Sequence, residues 1–94
     1  MGFRFEWHDA KAASNWRKHG VTFNEAVSIF GDPMSQTVPD DAHSTPVQPR
    51  FATIGLSIRN RILVVIHLEN EDGHIRLISA RIATRRERNA YETE

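Results

Sequence analysis

The sequence predicts an α+β domain in which helices pack on one face of an antiparallel β-sheet, with the element order β-α-α-β-β-β-β-α. Two observations support this class. Segments rich in Val and Ile, separated by short turns, fill much of the second half of the chain and are typical of antiparallel strands. Two stretches of the first half, and one near the end, carry the capping residues that begin helices.

The first predicted elements are a short strand and a helix. Alternating aromatic and charged residues predict the strand over 3–7. Asp9 is a suitable cap for a helix over 10–19, and Gly20 supplies its left-handed end. We expect Asn15 to lie away from the apolar side of this helix. That side is formed by Ala12, Ala13 and Trp16.

The second helix begins with the spacing of a capping box, in which Thr22 and Glu25 each bond the other's free backbone N–H. It ends at the Gly-Asp-Pro sequence of 31–33. An edge strand is predicted over 35–38, where the following proline closes it. The polar segment 40–49 then forms a loop.

Three strands are predicted next, over 51–57, 62–68 and 75–81. Asn60 tolerates positive φ and provides the tight turn between the first two. The last two form a hairpin whose polar turn ends in Gly73. This hairpin is the centre of the predicted sheet.

The last helix starts with a second capping-box spacing, at Thr84 and Glu87, and extends to about Tyr91. Arg85 and Arg86 occupy its first turn. Free backbone N–H groups and two guanidinium groups at a helix start make an anion site. The alternative is that these long side chains simply turn to solvent.

The composition limits the classes of function. The 94 residues suffice for a single domain, 1–94, and the 39% hydrophobic and 26% charged fractions are ordinary for a globular protein. Twelve Lys and Arg balance twelve Asp and Glu, so the chain lacks the uniform basicity of a non-specific nucleic-acid binder. No apolar run could cross a bilayer, so we expect no membrane association. The absence of cysteine favours a cytoplasmic protein.

Histidines are the first candidates for chemistry, because they titrate near neutral pH. None of them has the H-x-x-x-H or H-E-x-x-H spacing of a helical metal site, so we expect no metal and no cofactor. His67 differs from the others because it lies in a strand whose neighbours are aliphatic. It is either a partly buried histidine bonded to the backbone or a general acid or base.

The register of the hairpin decides which polar side chains accompany His67. A two-residue turn at 72–73 places it opposite Ile78 and on the face of Arg76. A three-residue turn at 71–73, with a left-handed glycine, gives the second register. The face of His67 then also holds Leu77, Ser79 and Arg81. We favour this register because it keeps two polar side chains away from the helix-covered face.

Several motifs resemble those of one known family. F-x-W at Phe5-Glu6-Trp7 precedes K-A-x-x-N-x-x-K-H-G-V-x-F-x-E-A at 11–26, and I-R-x-I-S-A-R-x-A-T-x-x-E-R-x-x-Y covers 75–91. Residues 40–44 and the Arg-Phe pair at 50–51 match the middle of the pattern. Together these motifs are similar to the signature of the BrnT toxins, small ribonucleases of type II toxin–antitoxin systems. The resemblance covers nearly the whole chain.

The resemblance implies a RelE-like fold, RNA cleavage that arrests translation, and neutralisation by a BrnA-type antitoxin with a ribbon-helix-helix DNA-binding part. The leading hypothesis is therefore a metal-independent endoribonuclease that uses attack of a ribose 2′-OH on the adjacent phosphate. In it His67 is acid or base, Arg81 stabilises the phosphorane charge and Ser79 donates a hydrogen bond. Flanking phosphates of the RNA substrate are held by Lys18, Arg76 and Arg85.

A second hypothesis belongs to another class. In it the chain is a non-catalytic protein-interaction module that completes a transcriptional repressor complex with a DNA-binding antitoxin. The zero net charge and the lack of an unambiguous acid–base pair favour this alternative.

Overall fold

A computed structural model describes residues 4–70 and 72–93, which form an α+β domain. The first half contains β1 (Arg4–Glu6), α1 (Asp9–His19), α2 (Phe23–Ser28), a 3₁₀ turn (Ile29–Gly31) and β2 (Gln36–Pro39). The second half contains β3 (Phe51–Leu56), β4 (Ile62–Glu69), β5 (His74–Ile82) and α3 (Arg85–Glu92). The predicted fold class and element order are confirmed. Phe3, the first residue of the predicted opening strand, lies outside the described residues.

The strands form one sheet in the order β1-β5-β4-β3-β2. All neighbours are antiparallel except β1 and β5, which are parallel. Helices α1 and α2 cover one side of the sheet, here called the inner face. Helix α3 lies instead across part of the other side, the open face, where Ala90 and Tyr91 approach Ile54 and Val64. The prediction of helices on one face therefore holds for α1 and α2.

The core lies between the inner face and the first two helices. Leu63 and Val65 of β4 and Leu77 of β5 are fully buried there. Phe23 of α2 fills the space above them and meets the ring of Trp7 edge-on, with ring centroids 5.7 Å apart. These contacts fix which side of the hairpin is inside.

The ends of α1 differ in part from expectation. His8 occupies the cap position and Asp9 is the first helical residue, so the predicted cap at Asp9 is wrong by one position. Gly20 ends the helix with φ 66°, as predicted. The predicted apolar side holds for Ala12, which packs against the core, but is wrong for Trp16, which is 53% exposed, and for Asn15, which is buried.

Asn15 is buried because it substitutes for a missing strand beside β5. Strand β1 ends at Glu6, which pairs with Arg76, so beyond this point no strand of the described part of the chain pairs with that side of β5. The Asn15 side chain accepts a hydrogen bond from the Ala80 N–H at 2.9 Å and donates one to the Ala80 carbonyl at 2.8 Å. It also donates to the Val21 carbonyl at 2.9 Å. The side chain thereby satisfies buried backbone groups that would otherwise be unpaired.

We expect Asn15→Ala to lower the free energy of unfolding by about 2 kcal/mol, because the buried N–H and C=O groups of Ala80 lose their partners. Urea denaturation measures this loss. Ser14→Ala, on the same helix, is the matched control and is expected to stay within about 0.5 kcal/mol of the unmodified protein. Equal losses in the two variants would contradict the role given to Asn15.

Helices α2 and α3 both begin with the Thr-x-x-Glu spacing, but the capping box is complete only at α3. Thr22 accepts the Glu25 N–H at 3.0 Å, but the Glu25 carboxylate does not return to the cap, so the predicted box at α2 is only half formed. The box at α3 is complete, because the Glu87 carboxylate accepts the Thr84 N–H at 2.8 Å and Thr84 Oγ1 accepts the Glu87 N–H at 3.2 Å.

The β4–β5 hairpin contains both predicted registers, one on each side of a β-bulge. Near the turn, His67 pairs with Leu77, which is the register of the three-residue loop. Gly73 has φ 87°, as that loop requires; its first residue, Glu71, lies outside the described residues. Beyond the bulge, Ile66 pairs with Ser79, which is the other register.

Ile78 is the extra residue of this bulge, since Leu77 and Ser79 pair with consecutive residues of β4. One inserted residue reverses the faces of the strand that follows it. Leu77 therefore points to the inner face, and Ser79 and Arg81 both point to the open face. Neither predicted register alone produces this arrangement.

Candidate active site on the open face of the sheet

His67 lies in the core and not on the open face. Its side chain has no solvent exposure. Its ring meets the ring of Phe30 edge-on at 5.2 Å and stacks on Phe51 at 6.0 Å, measured between centroids. Its Nε2 is 2.7 Å from Oγ1 of Thr53, which is itself 2.7 Å from Oγ1 of Thr37. The imidazole is thus enclosed by aromatic rings and bonded to a buried hydroxyl.

The prediction that His67 shares an open surface with Ser79 and Arg81 is therefore wrong. The bulge at Ile78 turns the latter two to the opposite side of the sheet. Burial lowers the pKa of His67 to about 4, so the ring is neutral at physiological pH. A group that neither touches the open face nor titrates near pH 7 is not placed to exchange protons with a ligand there.

The open face carries a groove of about 470 Å³ between α3, the end of α1 and the segment after β2. Its volume falls within the range of small-molecule binding sites. Its floor is apolar and is formed by Ala52, Val64, Ile66 and Ile78. Its polar lining consists of His19, Asp40, His43, Arg50, Ser79, Arg81 and Glu87.

Two predicted site residues, Ser79 and Arg81, line this groove. Arg81 donates two hydrogen bonds to the Glu87 carboxylate, from its two terminal nitrogens at 2.7 and 2.9 Å. Hydrogen bonds from Arg81 lower the pKa of Glu87 to about 2, so this carboxylate stays ionised. The bidentate pair fixes the plane of the guanidinium and joins α3 to β5.

An Asp–His pair that sequence reasoning missed lies on the opposite wall. Nδ1 of His43 is 2.8 Å from Oδ2 of Asp40. The His43 side chain is 65% exposed, whereas the Asp40 side chain is 14% exposed. The D-x-x-H spacing in a polar loop was the available signal, because residues three apart in a turn lie close together.

Backbone and hydroxyl contacts hold the loop that carries this pair. The Asp40 N–H donates to the Arg50 carbonyl at 2.8 Å, which closes the ends of the loop. Ser44 Oγ donates to the Asp40 carbonyl at 2.7 Å and accepts the Arg50 N–H at 2.8 Å. Nε of Arg50 is buried and has no hydrogen-bond partner among the described residues, so the groove wall contains an unused donor.

Lys18 lies beside the groove. A smaller cavity of about 160 Å³ shares His19, Ile78 and Ser79 with the main groove, and its lining also includes Lys11 and Lys18. Among the described residues, the two cavities together are lined by four permanent cations, Lys11, Lys18, Arg50 and Arg81, and two carboxylates, Asp40 and Glu87. Both carboxylates already have partners. This region is therefore locally cationic, although the chain as a whole is neutral.

Arg76 and Arg85 line neither cavity. Arg76 lies on β5 beside the edge strand β1, where its Nε donates to the Glu6 carboxylate at 2.9 Å and a terminal nitrogen lies 3.2 Å from Nε2 of His8. Arg85 is exposed in the first turn of α3. The structure thus brings three of the six predicted site residues together: Lys18, Ser79 and Arg81.

Residues 4–70 and 72–93 contain neither a cluster of metal-ligating side chains nor a helix that could span a membrane. In these ranges no group of three or more His, Asp or Glu side chains is placed to hold a metal ion. No helix there has the length and apolarity needed to cross a membrane.

Comparison with known proteins adds a family and a structural neighbour. The family described as "Ribonuclease toxin, BrnT, of type II toxin-antitoxin system" matches residues 7–87. The crystal structure of the Brucella abortus ribonuclease toxin BrnT is similar in fold, with a TM-score of 0.69 at 22% identity, over 89% of this chain and 100% of that one. Comparison with curated protein sequences finds no match.

The family match spans both walls of the groove, from Trp7 to Glu87. It includes the Asp40–His43 pair, the bulged strand and the first turn of α3. Type II systems pair a toxin with an antitoxin, so the family implies an antitoxin partner. The chain belongs to the BrnT family of ribonuclease toxins of type II toxin–antitoxin systems.

Proposed function

We propose that this protein is a cytoplasmic endoribonuclease toxin that cleaves RNA without a metal ion and thereby inhibits translation. The ribose 2′-OH attacks the adjacent phosphate in the open-face groove. We further propose that its antitoxin is of the BrnA type, with a ribbon-helix-helix part that binds DNA. One observation carries the catalytic proposal: a locally cationic groove with imidazole, hydroxyl and guanidinium groups on one side of a neutral protein.

The chemistry requires stabilisation of charge on the phosphorane and proton transfer at two oxygens. Arg81 supplies the charge stabilisation. Its guanidinium has five N–H donors, of which three bond the Glu87 carboxylate and the Ile82 carbonyl, so two remain for phosphate oxygens. Ser79, two positions earlier on the same face, donates a hydrogen bond from its hydroxyl.

Lys18 binds a flanking phosphate in the smaller cavity. Arg85 extends the cationic surface at the start of α3, where free backbone N–H groups also favour anions. Arg76 is left out of this RNA path, because it is paired with Glu6 at the far edge of the sheet. His67 is left out because it is buried.

The proposal predicts that the purified protein cleaves RNA in excess EDTA and leaves 2′,3′-cyclic phosphate and 5′-hydroxyl ends. Arg81→Ala is expected to lower the cleavage rate by about 10²-fold, since it removes a donor to the developing charge. Ser79→Ala is expected to have a smaller effect. Gel electrophoresis of a labelled RNA, with chemical identification of the new ends, measures both.

Arg17→Ala is the matched control, because Arg17 is an exposed arginine of α1 that lines neither cavity. Circular dichroism shows whether each variant keeps the fold. Cleavage that EDTA abolishes and added divalent metal restores would refute the metal-independent step. Equal rates for Arg17→Ala and Arg81→Ala would refute the assigned site.

A growth assay distinguishes the toxin from the repressor-module alternative. Expression without an antitoxin is expected to arrest growth, and co-expression of a BrnA-type antitoxin is expected to relieve the arrest. Harmless expression of the folded protein would favour the non-catalytic module.

A further inference from the structure

We propose that His43 is the general base of RNA cleavage, that Asp40 is its positioning residue, and that His19 protonates the leaving oxygen. This inference rests on the function proposed above. It gives the groove the acid–base pair that His67 cannot supply.

The contact between Asp40 and His43 determines how the imidazole works. An ionised carboxylate only accepts hydrogen bonds, so the 2.8 Å contact places the hydrogen on Nδ1 of His43. The neutral ring then carries its lone pair on Nε2, which makes Nε2 the proton acceptor. The same carboxylate stabilises the imidazolium that forms when the proton arrives.

The exposure of the two side chains agrees with these roles. Asp40 is 14% exposed and is held in the wall of the groove, whereas His43 is 65% exposed and accessible to a large ligand. The loop is closed through the backbone groups of Asp40 and the hydroxyl of Ser44. Asp40→Asn therefore changes the hydrogen-bond partner of His43 but keeps intact the contacts that close the loop.

His19 is the second imidazole of the groove. It is the last residue of α1, is exposed, and lines both the main groove and the smaller cavity next to Ser79. The main groove thus has His43 on the β2 side and His19 on the α1 side. Two imidazoles around one bound phosphate can act on its attacking and leaving oxygens.

The two imidazoles transfer protons while the bonds to phosphorus change. Nε2 of His43 takes the proton of the ribose 2′-OH while the bond from O2′ to phosphorus forms. The bond from phosphorus to O5′ breaks, and O5′ takes a proton from the imidazolium of His19. The products are a 2′,3′-cyclic phosphate and a 5′-hydroxyl, and proton exchange with water returns both rings to their starting forms.

The first test compares His43→Ala with His74→Ala in the full-length protein. His74 is a matched control because its Nδ1 is 2.7 Å from Oδ2 of Asp72, yet it lines neither cavity. We expect kcat to fall by about 10²- to 10⁴-fold for His43→Ala and to stay unchanged for His74→Ala. For Asp40→Asn we expect a smaller fall in kcat, with KM unchanged.

Chemical rescue separates a reacting group from a structural one. Because His43 is exposed, free imidazole in the buffer can reach the space left by His43→Ala, and we expect it to restore part of the rate. A substrate with sulfur in place of the 5′ oxygen, at a site that the unmodified protein cleaves, needs no acid at the leaving group. We expect this substrate to restore the rate of His19→Ala but not that of His43→Ala.

The outcomes distinguish the inference from the function on which it rests. If the unmodified protein leaves RNA intact, the proposed function fails and the acid–base assignment fails with it. If the unmodified protein cleaves RNA and His43→Ala cleaves equally fast, only the assignment of the base is overturned. If the sulfur substrate does not rescue His19→Ala, the assignment of the acid is overturned.

Discussion

Lowering the pH from 7.5 to 5 is expected to reduce the free energy of unfolding by about 2 kcal/mol through His67 alone. Burial lowers the pKa of this histidine to about 4, whereas in an unfolded chain it titrates at its ordinary value of 6.5. Protons therefore bind the unfolded chain first. The stabilisation is complete above the unfolded pKa and is lost as the pH falls toward the folded pKa, for a total of about 3 kcal/mol.

Urea denaturation at pH 7.5 and pH 5 measures this loss before most carboxylates titrate. His67→Gln keeps a hydrogen-bonding group near Thr53 but does not titrate, so its stability is expected to change much less over this range. His8→Gln, which replaces an exposed histidine, serves as the control and is expected to keep the full pH dependence. The same pH dependence in His67→Gln as in the unmodified protein would contradict this account.

Glu25→Ala is expected to lower the free energy of unfolding by about 3 kcal/mol, because it leaves the Ser57 hydroxyl and the guanidinium of Arg61, which is 27% exposed, without their acceptor. The Glu25 carboxylate is 3% exposed. It accepts hydrogen bonds from Ser57 Oγ at 2.7 Å and from Nε and a terminal nitrogen of Arg61. These bonds join α2 to the turn between β3 and β4, and those from Arg61 are the main reason that the pKa of Glu25 is lowered.

A double-mutant cycle tests this prediction by urea denaturation. Arg61→Met removes the other partner, and Glu25→Ala combined with Arg61→Met removes both charges. The double variant is expected to be more stable than either single variant, since neither charge is left unpaired. Additive losses in the double variant would show that the ion pair does not contribute as proposed.

The sequence predicted well the elements that local chemistry determines. Gly20, Asn60 and Gly73 mark turns through their positive φ, and all three have it in the structure. Thr84 begins α3 with a complete capping box. Each of these features depends on residues within a few positions of one another, so the sequence contains the information directly.

The positions of His67 and Asn15 could not be predicted in this way, because distant contacts decide them. His67 is buried by Phe30 and Phe51, which come from two other elements. Asn15 is buried because β1 is too short to reach Ala80, a residue 65 positions away in the sequence, and the side chain takes the place of the strand. In both cases a polar side chain lies in the interior because it bonds a group that is distant in the sequence, and the sequence alone does not identify that group.

The sequence predicts only part of the site, again because contacts between distant residues decide where side chains lie. The sequence predicts Ser79 and Arg81 on the open face, but it favours His67 for the role that we propose for His43. A histidine among aliphatic residues stands out in a sequence, whereas a histidine in a polar loop does not. The loop places His43 in the groove because backbone groups of Asp40 and Arg50 and the hydroxyl of Ser44 bond across its ends.

The bulge at Ile78 affects how the β5 strands of related sequences should be aligned. Whether a residue of β5 faces the groove or the core depends on the parity of the number of residues between it and the hairpin turn. In a relative that lacks the extra residue, side chains aligned with Ser79 and Arg81 would point inward unless the turn had changed length as well. Alignment columns in this strand therefore correspond in space only after insertions have been counted.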